Sequence, residues 1–210
     1  MARSTKTEAQ ETRNRILDAA QQVFHIQGVS RTSLEDVAHA AEVTRGAIYW
    51  HFKNKGDLFN AMSQRVRLPL EAMVQASGAA GEADPMGQLR SSLVLALQET
   101  ARNPQLRTVF DILFLKCEFV DANGPIRARR QEECTNALEN FARTMTNAIA
   151  RGQLPEDLAV PLACRALHAM MVGLINNWLL MPEKSDLAAD APRLVDACLD
   201  MVRFAVGLRG

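Results

Sequence analysis

The chain has 210 residues, of which 48% are apolar, and its 24 basic side chains equal its 24 acidic ones. That composition belongs to a globular protein with a sizeable core and excludes a disordered chain. With no net charge, any affinity for nucleic acid has to come from a local basic surface.

Four cysteines, Cys117, Cys134, Cys164 and Cys198, are widely spaced without a Cys-x-x-Cys pair. They read as reduced thiols of a cytoplasmic protein. Cys164 and His168 stand four apart on one helical face, but two ligands do not close a metal site, so neither metal nor cofactor is expected. The first residues are charged and lack the apolar stretch of a secretory signal. The apolar runs fall short of a membrane span, so no membrane partner is expected.

Almost every segment carries a helical period and none alternates like a strand, which predicts an all-α protein. Thr5-x-x-Glu8 opens the first helix, whose stripe of Ile16, Ala20, Val23 and Phe24 runs to Gly28. Thr32-x-x-Glu35 opens the second, with Leu34, Val37, Ala38 and Ala41 inward. Glu42-Val43 makes a turn and Thr44 caps the third. Asn54-x-x-Asp57 starts the fourth, which runs through Leu58, Phe59, Met62 and Val66 towards Gly78–Gly81. Two short helices joined this tightly predict a helix-turn-helix. Asp84-Pro85 starts a fifth helix to about Asn103, Pro104 a sixth to about Phe119, and Gly124-Pro125 a long seventh ending near Gly152. An eighth follows Pro155 to about Met181, and a ninth follows Asp190-Ala191-Pro192 to Gly207.

The third helix concentrates donors, flat rings and cations. At about 100° per residue, Arg45, Gly46, Tyr49 and Trp50 share one sector, and Ile48 and Phe52 fall on the other. The apolar pair predicts the docked face and the first sector the groove-facing one. Arg45 suits the bidentate contact to a guanine edge, and Gly46 lets backbone approach the bases. Tyr49 has a ring for a thymine methyl or a hydroxyl for a phosphate. Lys55, at the start of the fourth helix, is placed for a phosphate. Arg3 and Lys6 form a basic N-terminal arm.

Thr44–Lys55, with Thr32-Ser33-Leu34-Glu35-Asp36-Val37-Ala38 before it, resembles the DNA-binding signature of TetR-family repressors. Met1-Ala2-Arg3-Ser4-Thr5-Lys6, Lys116-Cys117-Glu118-Phe119, Arg151-Gly152-Gln153-Leu154-Pro155 and Asn177-Trp178-Leu179-Leu180 look closer still to the AcrR/TtgR branch, which represses multidrug efflux operons. The resemblance implies a nine-helix homodimer. Its residues 1–54 would form a helix-turn-helix reading head, and 55–210 a ligand-binding and dimerising domain. Arg3, Lys6, Thr32, Ser33, Thr44, Arg45, Gly46, Tyr49, Trp50, His51 and Lys55 are the expected DNA-binding set, and the partner is double-stranded operator DNA of near-palindromic sequence. Phe110 and Phe114 depart from the polar residues that related repressors often carry there.

Leu89, Leu93, Phe110, Phe114, Cys134, Phe141, Leu167, Met170 and Met171, with Gln98, His168 and Asn176 as polar handles, are candidates for lining a chamber that takes apolar, aromatic small molecules. Ala163, Ala166, Ala169 and Gly173 on the eighth helix permit close approach. Leu194, Val195, Cys198, Met201, Val202, Ala205 and Val206 accompany them on the ninth, which predicts an isologous four-helix dimer interface. An alternative is a DNA-binding regulator with a filled core, controlled by a partner protein. An enzyme with His168 as base finds no nucleophile–base pair, phosphate loop or metal cluster to support it.

Overall fold

The computed structural model describes residues 2–79, 81–117 and 124–210, without the side chains of 2–5, 67–71, 73, 124 and 125. Among these residues the chain is all-helical: α1 (Ala2–Gln27), α2 (Leu34–Ala40), α3 (Arg45–His51), α4 (Lys55–Ser77), α5 (Pro85–Arg102), α6 (Pro104–Leu115), α7 (Gly124–Ala150), α8 (Val160–Leu180) and α9 (Leu187–Phe204). Backbone contacts divide it into two compact units. One comprises 1–67 with 108–131, and the other 68–107 with 132–210.

The first unit is built around α1. Ile16, Leu17, Ala20 and Phe24 are fully buried. Val37 of α2, Ile48 and Phe52 of α3 and its cap, Leu58 and Met62 of α4 and Ile112 of α6 belong to the same core. Burying each large apolar side chain contributes about 1.5–3 kcal/mol. The rings of Phe24 and Phe59 meet at 5.9 Å and 60°. Gly28 ends α1 at φ +80, a left-handed position that glycine adopts without a Cβ clash. The next amide, Val29 N–H, donates to Lys116 O at 3.1 Å, tying the turn to the end of α6. There Lys116 Nζ donates to His25 O at 2.7 Å, and Asp111 pairs with both His25 (3.1 Å) and Lys116 (3.4 Å).

The cap of α2 lies one residue later than the spacing predicts. Ser33, not Thr32, accepts from the Asp36 amide, and Asp36 accepts from the Ser33 amide at 2.8 Å. The bonds from Ser33, backbone first and then hydroxyl, hold the Asp36 carboxyl below its usual range. Thr32 instead is 3% exposed, its hydroxyl donating to Gly28 O at 2.8 Å. The α2–α3 turn closes with Glu42 N–H to His39 O and Val43 N–H to Ala38 O. That pattern needs a left-handed residue, and Glu42 supplies it at φ 53. Thr44 caps α3 by accepting from Ala47 N at 3.2 Å. Asn54 caps α4 by accepting from the Asp57 amide through Oδ1, and Asp57 Oδ2 accepts in turn from the Lys53 amide, one residue before the cap.

In the second unit α5 and α8 both pack on α9. Arg90 of α5 grips Asp196 of α9 through Nε and Nη2 at 2.6 and 2.9 Å. The end of α4 is fastened to α7 by Ser77 Oγ against Thr144 Oγ1 (3.0 Å) and by Asn147 Nδ2 donating to Gly78 O (3.1 Å).

Two helix starts differ from the sequence expectation. Helix α8 begins at Val160 rather than just after Pro155, because Ala159 N–H donates to Leu208 O and Gly210 N–H to Asp157 O, both at 2.8 Å. Residues 157–159 are thus held in a non-helical conformation by pairing with residues 208–210. Helix α9 begins at Leu187, capped by Asp186, and carries Pro192 inside it. Proline has no N–H to give the carbonyl four residues back. That carbonyl, Ala188 O, accepts instead from Gln98 Nε2 at 3.3 Å. Gln98, expected as a polar handle for ligand, is engaged in completing α9. Helix α6 ends at Leu115, short of the predicted end near Phe119, with Lys116 and Cys117 already outside it; Glu118 and Phe119 lie outside the described residues.

Candidate nucleic-acid interface

Helix α3 is amphipathic in the sense that its spacing predicts. Ile48 is 0% and Phe52 1% exposed, whereas Tyr49 is 45% and Trp50 73% exposed. The Arg45 side chain is 72% exposed. Large rings and a guanidinium on the outside of a two-turn helix gain nothing from the core beneath them. Gly46 is exposed too, and a Cβ there would meet only Thr44 Oγ1, at 3.9 Å. Among the described residues no packing therefore requires a glycine at this position.

Three residues of this face are held in place by neighbours. Arg45 Nε pairs with Glu35 Oε1 at 3.1 Å, and its Cζ stands 5.6 Å from the centre of the Tyr49 ring. The Trp50 and His51 rings meet edge-on, 4.5 Å apart and at 86°. Burial first, and the nearby Arg13 second, lower the His51 pKa from 6.5. That direction favours the neutral imidazole, which presents one donor and one acceptor. Arg13 itself lies over the Phe52 ring, 5.2 Å from its centre. Glu35 and Arg13 were not singled out for the site from sequence. They come from α2 and α1, and no local spacing links them to α3.

Other members of the expected set are placed differently. Thr32 is buried, as above, so its hydroxyl is spent inside the turn and does not reach outward. Ser33 is exposed, with its hydroxyl bonded to Asp36. Lys6 is exposed on α1, and the Arg3 side chain is outside the described residues. Lys55 Nζ donates to Val29 O at 2.8 Å and Ser30 O at 3.1 Å. Partial burial lowers its pKa, and the thiol of Cys117 opposes that shift.

The chamber candidates divide between the units. Leu89, Leu93, Phe141, Leu167 and Met171 are buried in the second, where Cys134, His168 and Asn176 are half-buried and Met170 is 37% exposed. Phe110 and Phe114 belong to the first. Phe110 packs against its core. The Phe114 ring lies 5.8 Å from Phe110 and carries Arg130 Cζ at 4.8 Å. It lines a cavity of about 330 Å³ with Ile26, Gly28, Arg31 and Lys116. A second, more open cavity of about 780 Å³ lies by Arg102, Trp178 and the segment 182–189, which leads into α9.

Among the described residues no group of three His, Cys, Asp or Glu could hold a metal ion. Cys164 donates to Met145 Sδ at 3.7 Å, and burial pushes its thiol up to about 11, which makes it an inert core residue. Among the same residues no helix is long and apolar enough to cross a membrane.

Of the expected dimer-face residues, Ala163, Val195, Cys198 and Val202 are turned into the second unit's own core, at 1% exposure or less. Ala169, on α8, is exposed, and a Cβ on Gly173 would meet nothing within 4 Å. Leu162 (40%), Leu180 (56%), Phe204 (73%) and Val206 (85%) leave large apolar surface exposed on or beside α8 and α9.

Comparison with known proteins agrees with this arrangement. Residues 16–62 match the profile described as bacterial regulatory proteins, tetR family. Residues 84–204 match the C-terminal region of MAATS-type transcriptional repressors. The HTH-type transcriptional regulator TtgR of Pseudomonas putida is 41% identical over 209 residues, covering 100% of both chains. The crystal structure of native NalD, the secondary repressor of the MexAB-OprM multidrug efflux pump in Pseudomonas aeruginosa, superposes with a TM-score of 0.84. It is 35% identical and covers 91% of this chain and 96% of its own. The SmeT–triclosan complex gives a TM-score of 0.83 at 33% identity, covering 90% of each chain.

Proposed function

The chain belongs to the TetR family of bacterial regulatory proteins, a family of transcriptional regulators and not of enzymes, and from that premise we propose that it is a ligand-released repressor of a multidrug efflux operon. The observation that carries the proposal is the outward face of α3, where Arg45, Tyr49 and Trp50 are exposed over a buried Ile48 and Phe52. The division of labour is a reading head in residues 1–54 and an effector-binding and dimerising part in 55–210. The protein acts in the cytoplasm as a homodimer through α8 and α9, whose exposed apolar residues support that pairing. Two heads related by a two-fold axis then meet successive major grooves of a near-palindromic operator.

Efflux control is supported by what NalD is described as repressing, and a small apolar effector by the triclosan held by SmeT. Such an effector releases DNA only through different affinities for two conformations. Helix α4 is suited to carry that difference, since its first part belongs to one unit and its last part to the other. The direct test is a gel shift with the DNA upstream of the protein's own gene, titrated with triclosan, beside a thermal melt with the same compound. Binding to that DNA, release by triclosan and a raised melting temperature are expected. Binding that no apolar aromatic compound reverses would remove the ligand-released part of the proposal.

Two variants divide the roles further. Lys55→Ala should lower the slope of log K against log salt by about 0.9 per lost phosphate contact, or about 1.8 per dimer. If affinity falls with the slope unchanged, Lys55 serves only to tie the Val29–Ser30 turn to α4. Phe114→Ala should weaken triclosan-induced release and leave ligand-free operator affinity within a few-fold of wild type, since a ring contact contributes about 0.5–1.5 kcal/mol beyond area burial. Unaltered release would make Phe114 a packing partner of Phe110 alone.

A further inference from the structure

The geometry points to Glu35 as a positioning residue for base recognition: its carboxylate holds the Arg45 guanidinium in the orientation that reads the operator. The inference rests on the proposed reading head and on the sequence expectation that Arg45 contacts a guanine edge within it. A guanidinium at the first position of a helix is badly placed by default. It is a long, flexible side chain, and the helix dipole disfavours a cation at this end. Here two neighbours restrain it. Glu35, from α2, takes the Nε edge at 3.1 Å, and the Tyr49 ring, one turn along α3, sits 5.6 Å from Cζ. Engagement through Nε leaves both terminal NH2 groups for a pair of acceptors such as guanine O6 and N7. Ordering that fork before DNA arrives removes part of the entropy cost of binding.

Two observations and one electrostatic argument bear on whether the role is structural. The pair is solvated, with the Arg45 and Glu35 side chains 72% and 49% exposed, so its contribution to folding is small. Glu35 does not cap α2, because Ser33 and Asp36 do. A carboxylate on the reading face also repels phosphate, so its removal would by itself strengthen binding to DNA of any sequence. Its place in the acidic first turn of α2 is favourable to that helix's dipole, and a gain in discrimination through Arg45 offsets the repulsion.

The test is selection by the full-length protein from a library of duplexes with symmetric, randomised half-sites. It is run with wild type, Arg45→Ala, Glu35→Gln, Glu35→Asp and the Glu35→Gln/Arg45→Ala pair. Arg45→Ala is expected to flatten base preference at one position per half-site. Glu35→Gln should reduce preference at that same position by roughly three-fold or more, without lowering affinity for unrelated duplex or the melting temperature. Glu35→Asp should recover part of it, and the double variant should add nothing to Arg45→Ala. Equal loss of affinity on all sequences after Glu35→Gln, or unchanged preference, would overturn the proposal. So would a further change at any position in the Arg45→Ala background, which would make Glu35 a reader itself. If Arg45→Ala flattens no position, the base-reading role of Arg45 fails, and the Glu35 proposal with it. That result is told apart by the arginine variant alone.

Discussion

Phe52→Ala is expected to cost about 3–5 kcal/mol of stability and to abolish operator binding, although Phe52 is 1% exposed and touches no DNA in any arrangement that leaves the fold intact. The ring is the last buried residue under α3. Its amide donates to Ile48 O at 2.9 Å, and Arg13 of α1 lies across its face. Removing it empties the contact that seats α3 on α1. Trp50, two residues earlier and 73% exposed, provides the contrast. Trp50→Ala should alter stability by no more than about 0.5 kcal/mol, yet weaken operator binding. Denaturant unfolding and fluorescence anisotropy on both variants would check this. Comparable destabilisation by the two changes would mean that Trp50 packs on the protein and is not a surface for DNA.

Ala166→Asp is expected to give monomers and, with them, weak operator binding. Ala166 is half-buried on α8, one turn from the exposed Met170 and among the small residues that permit close approach. In a lone subunit an aspartate there keeps contact with water. In the proposed dimer it is desolvated without a partner, at a cost of several kcal/mol. Light scattering should report the monomer, and helical circular dichroism should stay near wild type. Since one head alone loses the second half-site, the apparent affinity falls far more than any single contact would explain. A stable dimer carrying this change would place the interface on another face.

The reading face itself was legible in the sequence because it depends on one helix. The 3.6-residue period puts Arg45, Tyr49 and Trp50 opposite Ile48 and Phe52 whatever lies beneath, and these exposures follow it. What α3 is held by was not legible. Glu35 stands ten residues before Arg45, and Arg13 nearly forty before Phe52, with no periodicity to link them. The helix-turn-helix cap shows the same limit on a smaller scale. Thr32-x-x-Glu35 and Ser33-x-x-Asp36 are overlapping patterns of the same kind, and the local sequence does not rank them. Burial of Thr32 against Gly28 O decides for Ser33.

The sequence by itself determined the all-helical class, the caps at Thr44, Asn54 and Asp84, and the amphipathic face of α3. The caps each depend on a side chain and a backbone group within four residues of each other, and the class and the face depend on the helical period; both operate locally. The tertiary structure decided the rest. Pro192 reads as a helix start, yet α9 runs through it because Gln98, from α5, donates to the carbonyl that proline leaves empty. Pro155 reads as a start as well, yet the chain's last residues pair with 157–159 and delay α8 to Val160. Phe110 and Phe114 read as lining for the effector-binding part, yet they lie in the unit that carries α3. At the two prolines a partner roughly fifty or more residues away satisfies, or competes for, a backbone group that local rules leave open. For the phenylalanines the decision is made by apolar packing, Phe114 beside Phe110 and Phe110 on a core most of whose members are distant in sequence.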